Sequence, residues 1–183
     1  MARRIVFFGT PTFAVPSLSA LLDSSDTVVA AVTQPDRPRG RGQKVRPEAV
    51  KILAQARSLE ILQPERLSDE AFLSRFQSLA PDLAVVAAYG RILPNRLLEM
   101  PPLGFLNVHA SLLPRWRGAA PVHRAIIAGD LTTGVTIMRV VPALDAGPML
   151  ASKSVDIGLE ETSAELEARL ATLGADLLVS TLR

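Results

Sequence analysis

Short, uninterrupted apolar runs are the feature of this sequence that most constrains its fold. Residues 27–33 and 83–88 consist almost wholly of small or β-branched apolar side chains, which is typical of strands buried on both faces of a sheet. Between such runs, apolar residues recur at helical spacing instead. One such stripe comprises Leu166, Leu170, Leu173 and Leu177. The alternation predicts an α/β fold in which helices flank a mostly parallel central sheet.

The same periodicities predict the individual elements. The predicted strands cover residues 5–8, 27–33, 61–62, 83–88, 104–108, 134–141 and 149–155. The predicted helices cover residues 13–22, 48–57 and 121–128, with one more beginning at Ser68-Asp69-Glu70 and another behind the capping box of Thr162 and Glu165. Residues 34–47 contain three prolines and two glycines and are predicted to form a long loop.

Composition excludes several classes of site. A chain of 183 residues that is 48% apolar suits one globular domain with a sizeable core. It has no cysteine, which removes disulfides, thiolate catalysis and cysteine-ligated zinc, and its two histidines are too few for a multi-histidine metal centre. No run approaches the roughly 18 apolar residues of a membrane helix, and the first strand is too short for a signal peptide. We therefore expect a cytoplasmic protein that uses no metal and has no membrane partner.

Three side chains in two segments are suited to acyl transfer between amines. Asn107 and His109 lie two apart at the end of a predicted strand, so both should face the same side of the sheet. An amide can donate to a developing oxyanion, and an imidazole can move a proton near neutral pH. Asp145, in the segment Leu144-Asp145-Ala146-Gly147, could orient the imidazole or favour its charged form. These types of group predict a catalytic site.

An Asn-x-His pair at a strand end also commonly does no more than satisfy loop backbone groups. The wider arrangement favours a site, because several loops are expected at one edge of the sheet. Residues 9–11, 89–94, 107–114 and the loop of Asp145 are each predicted to follow a strand. In open α/β sheets, ligands bind beyond the carboxyl ends of the strands.

A basic run lies in the predicted loop of residues 34–47. Its cations fall within ten residues that contain no acid: Arg37, Arg39, Arg41, Lys44 and Arg46. Such a run suits a partner that carries phosphates, although a merely solvated loop would have the same composition. Trp116, between Arg115 and Arg117, is open to two interpretations, a lid packed on the domain or a surface near substrate. His123, in a predicted apolar helix, is interpreted as structural.

Residues 107–121, which read Asn-Val-His-Ala-Ser-Leu-Leu-Pro-Arg-Trp-Arg-Gly-Ala-Ala-Pro, closely resemble the signature of the folate-dependent formyltransferases. The Arg-Trp-Arg-Gly-Ala-Ala-Pro part is similar to the methionyl-tRNA formyltransferases in particular. Residues 8–14, 34–44, 89–94 and 144–147 resemble the same family, in the same order along nearly the whole chain. The resemblance implies a Rossmann-like formyltransferase domain.

The resemblance also implies roles for individual residues. The implied catalytic residues are Asn107, His109 and Asp145. The implied folate-binding residues are Ser111, Leu112, Leu113, Pro114, Arg91, Ile92 and Leu93. The implied tRNA-binding residues, which would grip the acceptor end, are Arg37, Arg39, Arg41 and Lys44.

The implied reaction moves a formyl group from 10-formyltetrahydrofolate, as co-substrate, to the α-amine of initiator methionyl-tRNA, without a metal. Members of the family carry a further carboxyl-terminal β-barrel domain that holds tRNA, so residues 1–183 are expected to be the catalytic domain alone. Two alternatives remain at this point. One is a formyltransferase that acts on another amine, such as a ribonucleotide or an amino sugar. The other is a non-catalytic RNA-binding module, which would leave Asn107, His109 and Asp145 without a role.

Overall fold

The computed structural model describes residues 2–39, 44–45 and 47–183, and its regular elements are nine strands and six α-helices within those ranges. The strands are β1 (Arg4–Gly9), β2 (Thr27–Val32), β3 (Pro38–Arg39), β4 (Lys44–Val45), β5 (Ile61–Leu62), β6 (Leu83–Ala87), β7 (Phe105–His109), β8 (Thr132–Arg139) and β9 (Met149–Asp156). The helices are α1 (Val15–Leu22), α2 (Ala49–Ala56), α3 (Glu70–Ser78), α4 (Asn95–Leu98), α5 (Pro121–Ile127) and α6 (Ser163–Leu182). A short 3-10 helix, Thr12–Ala14, precedes α1.

Seven of the strands form one sheet in the order β5-β2-β1-β6-β7-β8-β9. Neighbours from β5 to β7 are parallel, whereas β8 pairs antiparallel with β7, and β9 antiparallel with β8. The predicted α/β fold with a mostly parallel sheet is therefore confirmed. The two antiparallel strands at one side were not part of that prediction.

Helices cover both faces of this sheet, and each face has its own core. In β1, Ile5 and Phe7 pack in one cluster, while Val6 and Phe8 pack in the other. The first cluster lies under α1 and α6, and the second contains an aromatic group around Phe8. Because both faces are covered, β6 and the buried parts of β1 and β2 are apolar at successive positions rather than at every second one.

Several local predictions are confirmed. Thr162 and Glu165 form both hydrogen bonds of a capping box at the start of α6, and Pro121 is the first residue of α5. Asp69 is the N-cap residue of α3, although its side chain makes no capping hydrogen bond. Within the predicted loop 34–47, the short strands β3 and β4 pair antiparallel, with Arg39 opposite Lys44. In the described part of the chain, no helix is both long and apolar enough to cross a membrane.

Candidate functional site

Strand β7 places Asn107 and His109 on one face of the sheet. Phe105 packs in the second core cluster and Val108 packs in the first, so the alternation along β7 puts Asn107 and His109 on the side of Phe105. His109 is buried and Asn107 is half-buried. Among the residues that the structure describes, none hydrogen-bonds to the side-chain amide of Asn107. That amide is available to a ligand.

The imidazole of His109 lies between two groups. Its Nε2 atom is 3.0 Å from the carbonyl oxygen of Trp116. Because a carbonyl oxygen can only accept, this contact assigns a hydrogen to Nε2. The other ring nitrogen, Nδ1, faces Asp145 with 3.7 Å between Nδ1 and Oδ2, which is longer than a hydrogen bond. The carboxylate thus faces the ring without being bonded to it.

Asp145 reaches His109 by a route that the sequence did not predict. Its loop was expected at the carboxyl edge of the parallel strands, directly after a strand that ends there. Asp145 does lie beside His109, the last residue of β7, but β8 is antiparallel and ends at the opposite edge, where Arg139 pairs with Leu106 near the start of β7. His109 pairs with Thr136. Thr136 lies three positions before Arg139, so the end of β8 is about 10 Å from the level of His109 along the strand. Since Asp145 nevertheless lies beside His109, the loop after β8 must fold back along the sheet.

The Asp145 carboxylate also anchors the neighbouring loop. Its Oδ2 atom accepts a hydrogen bond of 2.7 Å from the backbone N–H of Gly118. Asp145 itself has a φ of 45°, in the left-handed region, and Gly118 has a φ of 81°. The side chain of Asp145 is only 11% exposed. The loop that holds Trp116 therefore contacts both His109 and Asp145.

The predicted folate-binding segment after β7 is held by its own polar groups. Ser111 is fully buried, and its Oγ donates a hydrogen bond of 2.6 Å to the carbonyl of Arg115. The Thr136 hydroxyl donates to the carbonyl of Ser111 and accepts from the N–H of Leu113. Leu112 and Leu113 are half-buried, and Pro114 is exposed. The accessible surface of this segment thus comes from Leu112, Leu113 and Pro114 rather than from Ser111.

The loop after β6 is the second predicted folate-binding segment. The guanidinium of Arg91 donates to the carbonyl oxygens of Pro64 and Glu65, at 3.2 and 2.8 Å. Leu93 is buried, whereas Ile92 is 87% exposed. Arg91 therefore braces this loop against the segment after β5, and Ile92 offers an accessible apolar surface.

Tyr89 begins the same loop from inside the core. Its ring meets Phe8 edge to face, and burial raises the pKa of its hydroxyl to about 12. The side-chain amide of Gln34 donates to the Tyr89 carbonyl at 2.7 Å. A Cβ atom at Gly90, where φ is 79°, would lie 2.9 Å from that amide, so both the conformation and the space favour glycine.

Asp130, which the sequence did not single out, lies just before β8 and binds the two residues at the centre of the loop. Its Oδ2 atom accepts from Trp116 Nε1 at 2.7 Å and from Arg115 Nε at 2.8 Å, while its Oδ1 accepts from Arg115 Nη2 at 2.5 Å. The hydrogen bonds from Arg115, and then from Trp116, lower the pKa of Asp130 to about 2. The Arg115 guanidinium also lies 4.3 Å from the centre of the Trp116 ring. We call these three residues the Asp130 clamp.

The remaining predicted residues are placed as follows. Arg37 is exposed, whereas Arg41 and the side chains of Arg39 and Lys44 lie outside the described residues. His123 is exposed on α5, so its interpretation as a structural histidine of an apolar helix is wrong. Short-range sequence spacing did not show which side of α5 faces solvent. Within the described ranges, no group of three or more His, Cys, Asp or Glu side chains could hold a metal ion.

The fold and the site define a class of protein: a Rossmann-like α/β domain in which one strand carries an amide and an imidazole on the same face and a carboxylate lies beside the imidazole. Residues 3–182 match the family described as formyl transferase. The chain belongs to this family.

Relatives with about half of their residues identical extend beyond this chain. It is 55% identical over 179 residues to a protein named methionyl-tRNA formyltransferase from Methylococcus capsulatus, covering 98% of this chain and 58% of the relative. It is also 55% identical over 182 residues to a protein of the same name from Halorhodospira halophila, covering 100% of this chain and 58% of the relative. The chain therefore spans less than two thirds of the length of these relatives.

Solved structures confirm the fold class. Glycinamide ribonucleotide transformylase 1 from Symbiobacterium toebii superposes with a TM-score of 0.82 at 21% identity, covering 100% of this chain and 86% of that one. A formyltetrahydrofolate deformylase from Pseudomonas syringae pv. tomato superposes with a TM-score of 0.79 at 22% identity, covering 100% of this chain and 61% of that one. At such identities the likeness concerns the fold alone.

Proposed function

We propose that this chain transfers the formyl group of 10-formyltetrahydrofolate to the α-amine of initiator methionyl-tRNA. The observation that carries the proposal is the meeting of Asp145 with His109 on the face of β7 that also bears Asn107. The choice of tRNA as acceptor is supported by the 55% identity to proteins named methionyl-tRNA formyltransferase. Residues 3–182 would then be the catalytic domain of such an enzyme.

The side chains suit the two halves of formyl transfer. The α-amine adds to the formyl carbon, which gives a tetrahedral intermediate with an oxyanion, and the bond from that carbon to N10 then breaks. Over the reaction the amine loses a proton and N10 gains one. The free amide of Asn107 would donate to the oxyanion. Of the two nitrogens of His109, Nε2 is bonded to the Trp116 carbonyl, which leaves Nδ1 to move the proton.

The proposed binding surfaces lie on three loops. Folate would contact the accessible apolar side chains of Ile92, Leu112, Leu113 and Pro114, and the backbone near Arg91, Leu93 and Ser111. The acceptor end of the tRNA would contact the basic loop at Arg37, Arg39, Arg41 and Lys44. The cations of that loop suit RNA phosphates, which attract Lys and Arg by charge alone.

A single-turnover assay tests the proposal. The chain is mixed with 10-formyltetrahydrofolate and methionyl-tRNA, and the formylated product is quantified over time. We expect transfer by the unchanged chain and a rate about a hundredfold lower in both Asn107→Ala and His109→Ala. One oxyanion donor contributes on the order of 3 kcal/mol, and one positioned proton-transfer group contributes about a hundredfold or more in rate. Asp23→Asn is the control, since Asp23 pairs with Arg57 on the exposed surface, with 3.0 Å between Oδ1 and Nη1. It should retain the full rate.

The same assay separates the alternatives. Formylation of glycinamide ribonucleotide or an amino sugar, with none of methionyl-tRNA, would refute the proposed acceptor. Binding of tRNA with no transfer to any of the amines would favour the RNA-binding module. A near-normal rate in either alanine variant would refute the role of that residue.

A further inference from the structure

The backbone of Trp116 is in a conformation that a bulky residue rarely adopts. Its φ is 59°, in the left-handed region, where the Cβ atom of an L-residue crowds the backbone. Such a conformation persists only where surrounding contacts enforce it, and such residues cluster at functional sites. The carbonyl of this same residue accepts the hydrogen bond from His109 Nε2. The orientation of the imidazole therefore depends on how Trp116 is held.

The Asp130 clamp supplies the contacts that hold Trp116. The indole Nε1 of Trp116 donates to Asp130, and the preceding residue, Arg115, donates to both oxygens of the same carboxylate. The side chain of Asp130 is 13% exposed, so these bonds are largely shielded from solvent on the acceptor side. One carboxylate thus fixes two successive side chains at the point where the backbone turns left-handed.

The loop also joins the two ionisable groups of the proposed catalytic site. Two residues after Trp116, the N–H of Gly118 donates to the Asp145 carboxylate that faces His109. A shift of the loop at Trp116 would therefore disturb two of its hydrogen bonds: the one from His109 to the Trp116 carbonyl and the one from Gly118 to Asp145. The hydrogen bonds of the Asp130 side chain within the described part of the chain go to Arg115 and Trp116, so its effect on His109 passes through these two residues, of which Trp116 contacts the imidazole.

We infer that Asp130 is a positioning residue for His109: by binding Arg115 and Trp116, it keeps the Trp116 carbonyl on Nε2 and so aims Nδ1 toward Asp145. For catalysis, this inference rests on the proposed function. A small misplacement of a reacting group costs up to about a hundredfold in rate, so removal of the clamp should matter although Asp130 acts on His109 through Arg115 and Trp116.

The kinetic test compares variants that remove different parts of the clamp. Asp130→Ala removes all three hydrogen bonds and should lower kcat by about tenfold to a hundredfold with little change in KM for folate. Asp130→Asn keeps one carbonyl oxygen for the indole but loses the two-point bond to Arg115, so it should recover part of the rate. Trp116→Phe keeps an aromatic ring without the N–H, and its effect should not add to that of Asp130→Ala.

Glu60→Ala is the matched control. Glu60 accepts from Arg75 in the same two-point way, at 2.7 and 2.5 Å, but it lies beside β5 at the opposite side of the sheet. Its removal should leave kcat unchanged, which separates removal of an arginine–carboxylate pair as such from removal of the clamp.

Nitrogen NMR of the histidine rings tests the inference without any reaction. The chain has two histidines, and a His123→Gln variant assigns their signals. In the unchanged protein we expect the His109 Nε2 atom to give the chemical shift of a ring nitrogen that carries a hydrogen and donates a hydrogen bond. In Asp130→Ala we expect this chemical shift to move toward that of a histidine ring nitrogen exposed to solvent. Glu60→Ala should keep the original signal.

The outcomes separate the two ideas. If the unchanged chain transfers no formyl group but the His109 signal still responds to Asp130, the positioning role stands and the proposed function falls. If Asp130→Asn and Trp116→Phe are folded and leave both kcat and the His109 signal unchanged, the positioning role is refuted. Should Asp130→Ala fail to fold, these two milder variants decide in the same way.

Discussion

At Gly174, α6 packs closely against the strands that carry the candidate site. A Cβ atom at this position would lie 2.7 Å from Val108 Cγ1 and 3.3 Å from Val135 Cγ1. Val108 lies between Asn107 and His109 on β7. The substitution Gly174→Ala therefore tests how tightly α6 and β7 are coupled.

Two effects of opposite sign decide the outcome. Alanine is favoured over glycine by about 1 kcal/mol inside a helix, and Gly174 lies well within the 20 residues of α6. Against this, nonbonded carbons normally lie about 3.5–4.0 Å apart, so a separation of 2.7 Å requires a shift of roughly 1 Å. The β-branched Val108 has little rotamer freedom, and such overpacking costs about 1–3 kcal/mol. We expect a net decrease of about 1 kcal/mol in the free energy of unfolding, or a Tm lower by about 2–4 °C.

Urea denaturation measures this difference, with Thr172→Ala as the control. Thr172 is an exposed residue of the same helix, and its hydroxyl donates only an exposed hydrogen bond of 3.3 Å to the carbonyl of Ala168, so its replacement should stabilise the protein mainly through helix propensity. Val108→Ala removes a buried core side chain and is itself destabilising, but its combination with Gly174→Ala should destabilise by less than the sum of the two single effects, because the smaller side chain removes the 2.7 Å approach. If Gly174→Ala is as stable as the Thr172→Ala control, α6 can move away from the sheet without cost and the packing argument is refuted.

Three further predictions concern charge. Asp145→Asn should stay folded, because an amide oxygen can still accept from Gly118, yet lower the single-turnover rate about tenfold or more because no negative charge then faces His109; an unchanged rate would assign Asp145 to loop structure alone. Replacing Arg41 and Lys44 together by alanine should weaken tRNA binding and flatten its dependence on salt, by about 0.7–0.9 in the log–log slope for each phosphate that is no longer neutralised; parallel salt series of equal affinity would show a merely solvated loop. The pKa of Asp130 is lowered from 3.8 to about 2, so its contribution to stability is present above pH 3.8 and is lost as the pH falls through about 2. Urea midpoints between pH 5 and pH 2 should therefore fall more steeply for the unchanged chain than for Asp130→Asn, and equal slopes would contradict this assignment.

Features with a short period could be predicted from the sequence. A strand repeats every two residues, so the spacing of Asn107 and His109 was enough to place both on one face of β7. The buried runs of β2 and β6 likewise show coverage on both faces, because a one-sided strand would alternate with polar residues. The capping box at Thr162 is a local pattern of four residues and needs no tertiary information.

Contacts that depend on strand direction could not be read from the sequence. Nothing in the residues of β8 states that it pairs antiparallel with β7, and the path of the Asp145 loop follows from that direction. Asp130 is similar: an acid in a turn is usually solvated, and only the folded chain brings it to Arg115 and Trp116.

The sequence by itself thus determined the α/β architecture and the chemical groups of the candidate site, because both follow from the type and spacing of nearby residues. The tertiary structure alone decided how these groups are aimed: Asp145 at Nδ1 of His109, the Trp116 carbonyl at Nε2, and Asp130 behind Trp116. The physical reason is that a hydrogen bond depends on distances of a few tenths of an ångström between segments far apart in the chain, and these distances are set by the packing of the whole domain.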